Sequence, residues 1–227
     1  MQWEAITWQR MAERLAGHLD DPGGAFGDAS GDTPGDASGP DGWQRVGIDG
    51  APAADTGALA GRLAQELRLR GRSVLVVPTA GFLRPASLRF EFGRQDVDAY
   101  LDGWYDTAAL WREVFGPTDP GGTGRVLPDL WDPVTDRATR SPYVELPVGG
   151  VLLVHGPLLL GRWFPFDLTV HVRLSAGALA RRTEESERWT GAAFARYEAE
   201  VDPASAADVV VRADDPRHPA WTGIRRS

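Results

Sequence analysis

The segment Val46-Gly-Ile-Asp-Gly-Ala-Pro-Ala-Ala-Asp-Thr-Gly-Ala-Leu-Ala60 decides the fold class of this chain. It begins with an apolar run typical of a buried strand, passes through a loop of small residues, and enters a helical pattern that reaches Arg70. A second strand pattern follows at once, from Ser73 to Val77. A strand, a helix and a strand in this order predict a βαβ unit, in which two parallel strands of one sheet are joined by a right-handed crossover.

The rest of the chain extends this pattern. Two later apolar runs, Val151 to Val154 and Leu168 to Leu174, are typical of strands that a parallel sheet buries on both faces. A helical pattern at Ala176 to Arg182 and a strand pattern at Ala207 to Val211 follow. We therefore expect an α/β fold with a mostly parallel sheet between two layers of helices. The aromatic, turn-rich region 79–146 is predicted to be an insertion over the carboxyl ends of the strands, where such folds bind ligands.

Three segments are expected along the 227 residues. Residues 1–19 carry apolar side chains at the spacing of an amphipathic helix that opens at Thr7. Residues 20–42 consist almost entirely of Asp, Gly, Pro, Ser and Ala, which predicts a disordered linker because they cannot bury enough apolar surface. Residues 43–227 are expected to form a single domain.

Composition excludes several function classes. The net charge of -8 argues against broad nucleic-acid binding, and no apolar run is long enough to span a membrane, so we expect a cytoplasmic protein that binds neither. The chain has no cysteine and four scattered histidines, so no metal site is expected. It also contains no lysine, so all 24 basic residues are arginine and no lysine can hold a phosphate.

The loop after Asp49 has the strand–loop–helix context of a P-loop, in which backbone N–H groups and a helix N-terminus hold phosphate. The expected fold is therefore of the P-loop NTPase type. Setting the pattern G-x-x-x-x-G-K-[ST] on Gly50 puts Asp55 at the second glycine, Thr56 at the lysine and Gly57 at the magnesium-binding hydroxyl. This degenerate Walker A motif predicts weak phosphate binding. Its candidate residues are Gly50, Ala51, Pro52, Ala53, Ala54, Asp55, Thr56 and Gly57.

From about Val46 to Pro219, the order of features resembles the uridine kinase and phosphoribulokinase group of P-loop kinases, especially its actinobacterial uridine kinase-like members. Ala80-Gly-Phe-Leu-Arg-Pro85 is similar to the family's Asp-Asp-Phe-His-Arg-Pro, whose acidic pair serves as catalytic base and metal partner. Val151-Leu-Leu-Val-His-Gly156 resembles a family strand that ends in Asp-Gly or Glu-Gly, with His155 in place of the acid. The resemblance implies the kinase fold, while these replacements imply loss of phosphoryl transfer.

The resemblance also implies a nucleoside pocket within the insertion. The stretches Arg89 to Leu110 and Leu130-Trp-Asp-Pro-Val-Thr-Asp136 are similar to the family segments that shape it. The same arginines could instead form a solvated face, and the same aromatic residues the core of a subdomain. The pocket candidates are Phe82, Arg84, Arg89, Arg94, Tyr105, Asp106, Trp131 and Asp132.

Three acid–base candidates remain for catalysis: Asp49, His155 and Asp106. Asp49 could act as a base or as a hydrogen-bond partner in the loop. His155 lies at a predicted strand end, where it could be catalytic or could fill the space of a lost metal. His171 alternates with valines on a predicted strand and is expected to be structural.

These observations leave three functions open. We favour a pseudokinase that has lost ATP–Mg binding and keeps a cleft for a nucleoside-like small molecule or a protein partner, with no cofactor. The second is an enzyme of another reaction class that uses the emptied cleft. The third is an atypical ATP-dependent nucleoside (uridine) kinase, in which arginines replace the lysine and ATP and Mg are required.

Overall fold

A computed structural model describes residues 2–20 and 42–224. The predicted linker lies outside the described residues apart from Asp20 and Gly42. No helix in the described ranges is long and apolar enough to cross a membrane. The strands, in chain order, are β1 (Glu4–Ala5), β2 (Gln44–Asp49), β3 (Val74–Pro78), β4 (Arg125–Val126), β5 (Trp131–Asp132), β6 (Arg137–Ala138), β7 (Val144–Glu145), β8 (Val151–Gly156), β9 (Leu168–Arg173), β10 (Val209–Arg212) and β11 (Ala220–Trp221).

One seven-stranded sheet organises the molecule, with the strand order β1-β11-β10-β9-β2-β8-β3. The strands from β10 to β3 run parallel to their neighbours, whereas β11 and β1 add an antiparallel edge. The predicted mostly parallel sheet is therefore confirmed. Along β8, Val151 and Leu153 join the core on one face, and Leu152 and Val154 join a core on the other. This two-sided burial is why the strand is an unbroken apolar run.

Helices and the insertion cover both faces of the sheet. Helices α1 and α2 pack on the face of Val151, and the insertion covers the face of Leu152. Helix α6 packs on the same face as the insertion, over Val210 of β10. The helices are α1 (Trp8–Asp20), α2 (Thr56–Leu69), α3 (Ala86–Arg89), α4 (Thr107–Leu110), α5 (Ala176–Arg182), α6 (Thr190–Val201) and α7 (Pro203–Ala206).

The N-terminal helix α1 belongs to the domain core. It begins where expected, since the Thr7 hydroxyl accepts a hydrogen bond from the Arg10 N–H at 3.1 Å. Met11 and Leu15 are fully buried in the core that α1 shares with α2. Trp8 donates from Nε1 to the Pro216 carbonyl oxygen at 2.7 Å. Burying a side chain of the size of Leu15 contributes about 1.5–3 kcal/mol, so the helix is a stabilising part of the fold.

The insertion builds a small core against the sheet. It contains two antiparallel ribbons, β4 with β7 and β5 with β6. Phe82 and Phe115 are fully buried, and Phe115 stacks on Phe164 with ring centroids 4.7 Å apart. The aromatic residues of this region therefore supply much of the apolar area that holds it on the sheet.

Candidate functional site

The loop between β2 and α2 directs backbone N–H groups at its own carbonyl oxygens. Ala54 N–H donates to the Ala51 oxygen at 2.8 Å, and Asp55 N–H donates to the Pro52 oxygen at 3.2 Å. Pro52 has no N–H to offer. A phosphate-binding loop needs such groups pointing into a common concavity, and here two of them are engaged in a short 3₁₀ turn.

Asp55 caps helix α2 with its own carboxylate. Its φ of 53° lies in the left-handed region that favours glycine, which is the residue the P-loop pattern has at this position. The Asp55 Oδ1 atom accepts a hydrogen bond from the Ala58 N–H at 3.2 Å. A helix N-terminus attracts anions through its unpaired N–H groups and its dipole. In this chain the Asp55 carboxylate, which belongs to the loop itself, already occupies that position at the N-terminus of α2.

His155, at the end of β8, fills the space beside the first turn of α2. Its Nδ1 atom lies 3.3 Å from the Thr56 hydroxyl. A Cβ atom built on Gly57 would lie 3.1 Å from His155 Cε1, so the ring sits directly against the position of the motif's hydroxyl residue. Burial lowers the pKa of His155, although the charge of Asp55 opposes the shift. The imidazole is therefore neutral near pH 7 and supplies no cation there.

The two positions that resemble the family's acidic pair carry no acid and differ in exposure. Ala80 is exposed, whereas Gly81 is buried. A Cβ atom on Gly81 would lie 2.6 Å from the Cβ atom of Asp129, closer than real Cβ atoms approach. The Gly81 carbonyl also accepts from the Leu130 N–H at 2.8 Å. The packing therefore leaves no room for a side chain at position 81.

A group of charged residues lies on the other side of β2, and two of them, Asp49 and His171, are buried. Asp49 and His171 are opposite each other in the register of β2 and β9. Asp49 is fully buried, and its Oδ1 accepts from the Leu159 N–H at 2.9 Å. Its Oδ2 lies 2.7 Å from His171 Nδ1. The other ring nitrogen of His171, Nε2, is 3.4 Å from Glu198 Oε1, but it has no hydrogen-bond partner.

The electrostatics of this group favour a charged histidine. Burial opposes the charged form of His171, but the contacts with Asp49 and Glu198 outweigh it and raise its pKa to about 9. The same contact with His171 lowers the pKa of Glu198. Burial and the nearby charge of Asp49 raise the pKa of Tyr197, so its hydroxyl stays protonated.

One cavity lies beside the His171 group and another beside the loop between β2 and α2. One has a volume of about 240 Å³ and lies over the end of β9 between α5 and α6; His171, Glu198 and Phe194 line it. The other has a volume of about 350 Å³ and lies on the outer side of the loop, between Trp8 and Arg182. In the second cavity, Arg182 already donates from Nη2 to the carbonyl oxygens of residues 213 and 214, at 2.7 and 2.8 Å.

Several pocket candidates have partners within the insertion. Arg89 donates from Nε to the Arg84 carbonyl oxygen at 2.7 Å, and its Nη2 lies 3.3 Å from Asp136 Oδ1. Trp131 donates from Nε1 to the same Asp136 oxygen at 3.0 Å. Asp136 therefore ties Arg89 and Trp131 together.

The remaining pocket candidates lie at turns or in the core. Asp106 caps α4 by accepting from the Ala109 N–H at 2.9 Å. Asp132 accepts from the Thr135 hydroxyl at 2.6 Å. Arg94 is exposed, with its guanidinium 5.2 Å from the ring centre of Phe90. Burial raises the pKa of Tyr105, and Phe82 belongs to the core. A ligand role for these residues stays a prediction.

The three catalytic candidates do not form one group. Within residues 2–20 and 42–224, no hydrogen bond or ion pair joins any two of Asp49, His155 and Asp106. The residues that do accompany Asp49 are His171 and Glu198. Sequence reasoning missed them because their proximity depends on the lateral order of the strands and the packing of α6. The available signal was the position of His171 among valines on a predicted strand, and that pattern indicates a structural residue.

No protein-family model matches the chain by sequence, and no curated protein matches it. Among solved structures, the chain is similar to a possible uridine kinase from Bacillus stearothermophilus, with a TM-score of 0.62 and 22% identity over 77% of this chain and 91% of that one. The chain has a P-loop kinase fold. A proposed fructose transport system kinase from Silicibacter is also similar, with a TM-score of 0.58 and 21% identity over 89% of this chain and 95% of that one. At these identities the likeness concerns the fold alone.

Proposed function

We propose that this P-loop kinase fold works as a binding protein that neither holds ATP–Mg nor transfers a phosphoryl group. Its ligand is a nucleoside-like small molecule or a protein partner. The observation that carries the proposal is the Asp55 carboxylate, which caps α2 where the fold would hold a phosphate.

Charge at the loop argues against a nucleotide. Replacing the motif's lysine by Thr56 removes a charge-assisted contact worth about 1.5–3 kcal/mol. Asp55 adds a like charge beside the polyanion, and neutral His155 does not compensate for it. Together these terms weaken phosphate binding by more than about a hundredfold, at a tenfold change per 1.4 kcal/mol.

The chain also lacks the side chains that Mg²⁺ binding and phosphoryl transfer require at the corresponding positions. Mg²⁺ prefers carboxylate and hydroxyl oxygens, and the corresponding positions hold Gly57, Ala80, Gly81 and His155. Because Gly81 has no space for a Cβ atom beside Asp129, an acid cannot be restored there without moving the insertion. The residues present do not fit ATP–Mg.

A nucleotide titration tests the proposal. The melting temperature of the full chain should not change with millimolar ATP–Mg, because a ligand stabilises only the state that binds it. No ADP should form with uridine or cytidine as acceptor. A melting shift or acceptor-dependent ADP would contradict the proposal and favour the atypical kinase.

A paired variant sharpens this titration. Asp55→Gly with Thr56→Lys removes the blocking charge and restores the cation, so it should gain an ATP-dependent melting shift. Asp102→Asn removes an exposed carboxylate on the insertion and should leave the chain as insensitive to ATP as before. If the paired variant gains nothing, the Asp55 cap is not what prevents nucleotide binding.

A further inference from the structure

The cavity of about 240 Å³ over the end of β9 has the features of a binding site. It lies next to the boundary between β2 and β9, where the chain reverses its direction across the sheet: β2 leads through α2 toward β3 on one side, and β9 leads to β10 on the other. Open α/β sheets bind ligands in the crevice at the carboxyl ends of the strands at such a point.

One ring nitrogen of His171 at this cavity makes an ion-pair contact of 3.4 Å with Glu198 but no hydrogen bond. The His171 side chain is 5% exposed, and its Nε2 atom has no hydrogen-bond partner. Leaving a buried donor without a partner is costly, so native structures rarely do so without a ligand, water or functional reason. The contact between Nδ1 and Asp49 Oδ2 at 2.7 Å holds the ring so that Nε2 lies beside Glu198, and a ligand that reaches Nε2 must displace this carboxylate.

An acceptor lies beside this donor. Glu198 lines the same cavity, with Oε1 3.4 Å from His171 Nε2 and Oε2 3.8 Å from Arg173 Nε. The cluster contains two carboxylates, Asp49 and Glu198, and two cations, His171 and Arg173, so it is neutral overall. It therefore offers one donor and one acceptor without favouring a charged ligand.

The remaining walls are mostly apolar and include Leu179, Phe194 and Ala195. A cavity of about 150 Å³ accommodates benzene, so this larger one holds a six-membered ring with substituents. We propose that it binds a small neutral ring molecule through a hydroxyl or amide group that accepts from His171 Nε2 and donates to Glu198. This inference rests on the proposed binding function but not on the loss of ATP binding, because Ala51 is the only loop residue that lines the cavity.

Nuclear magnetic resonance of the histidine side chains tests this directly. The full chain is titrated with δ-valerolactam as the amide probe and cyclohexanol as the alcohol probe, each to millimolar concentration. The His171 Nε2 resonance should move with at least one of them, and the pair distinguishes the two chemistries. Cyclohexanecarboxylate and cyclohexylammonium should bind at least about tenfold more weakly, because a charge has no counter-ion in the neutral cluster. If neither neutral probe moves His171, or a charged one binds best, the proposal is wrong.

Two variants locate the binding. Ala195→Trp fills the mouth of the cavity from an exposed helical position and should abolish the shift, whereas Ala199→Trp, one turn further along α6 and outside the cavity lining, should not. Glu198→Met should weaken probe binding about tenfold, and Glu200→Met should leave it unchanged. Ala195→Trp keeps every charged residue, so it remains decisive even if Glu198→Met disturbs the fold. Unchanged binding in Ala195→Trp would overturn the proposal. ATP–Mg binding would contradict the proposed function and leave this site untouched.

Discussion

Two regions beside β2, the loop that leads into α2 and the charged group at the end of β9, differ in how many of their polar atoms form hydrogen bonds within the chain. On the α2 side, the N–H groups of Ala54 and Asp55, the Ala58 N–H in the first turn of α2 and His155 have partners from the chain itself. On the β9 side, the buried His171 Nε2 makes no hydrogen bond and lies 3.4 Å from the Glu198 carboxylate, next to a cavity. The comparison shows that the loop after β2 is held by contacts within the chain, whereas the end of β9 borders a cavity lined by polar and apolar side chains.

The largest expected effect is the difference in stability loss between removing the carboxylate of Asp49 and removing that of Asp55. Asp49→Ala removes the partner of a buried charged histidine and should lower the free energy of unfolding by about 3–5 kcal/mol. Asp55→Ala removes an exposed helix cap and should cost about 1 kcal/mol. Urea denaturation of both variants measures the difference. Equal costs would mean that the Asp49–His171 pair is no more important than a surface cap.

The next largest effect is the pH dependence of stability, which tests the charge state of His171 beside β9. The pKa of His171 is about 9 in the folded protein and about 6.5 in an unfolded chain. Its stabilisation is therefore complete below about pH 6.5 and is lost as the pH rises toward about 9, with a total on the order of 3 kcal/mol. Denaturation midpoints between these pH values should fall for the native chain and stay flatter in His171→Asn. A flat native profile would contradict a charged His171 facing Asp49, Glu198, Arg173 and Tyr197.

His155, beside α2, is expected to contribute a smaller pH dependence of stability, with the opposite sign to that of His171. Burial lowers the pKa of His155, so the folded state favours its neutral form. Its contribution is present above about pH 6.5 and is lost as the pH falls below that value. His155→Gln should remove this loss between about pH 6.5 and pH 5, before most carboxylates titrate. If the variant follows the native profile there, His155 does not titrate as its burial implies.

Much of the fold follows from the sequence for local reasons. Val151 to Val154 is a strand buried on both faces, and its apolar run predicts that directly. The α1 cap at Thr7 and the change from strand to helix after Asp49 are also local signals.

The sites depend on non-local placement, which the sequence does not display. His171 faces Asp49 only because β9 lies next to β2, and Glu198 reaches them only because α6 packs over that face. The partner of Arg89 and Trp131 is Asp136, which lies in a ribbon turn 47 residues after Arg89 and five after Trp131. The contact between Trp8 and Pro216 joins opposite ends of the chain. Such pairs require the lateral order of elements before any side-chain pairing can be inferred.

The two histidines allow one measurement to test both sides of β2 at once. His155 reports on the α2 side and His171 on the cavity, so a single set of imidazole resonances is followed while ATP–Mg and then δ-valerolactam are added. We predict that millimolar ATP–Mg leaves His155 unmoved and that the lactam, or cyclohexanol in its place, moves His171. A shift of His155 with ATP–Mg, or a His171 resonance that responds to neither neutral probe, would contradict the account.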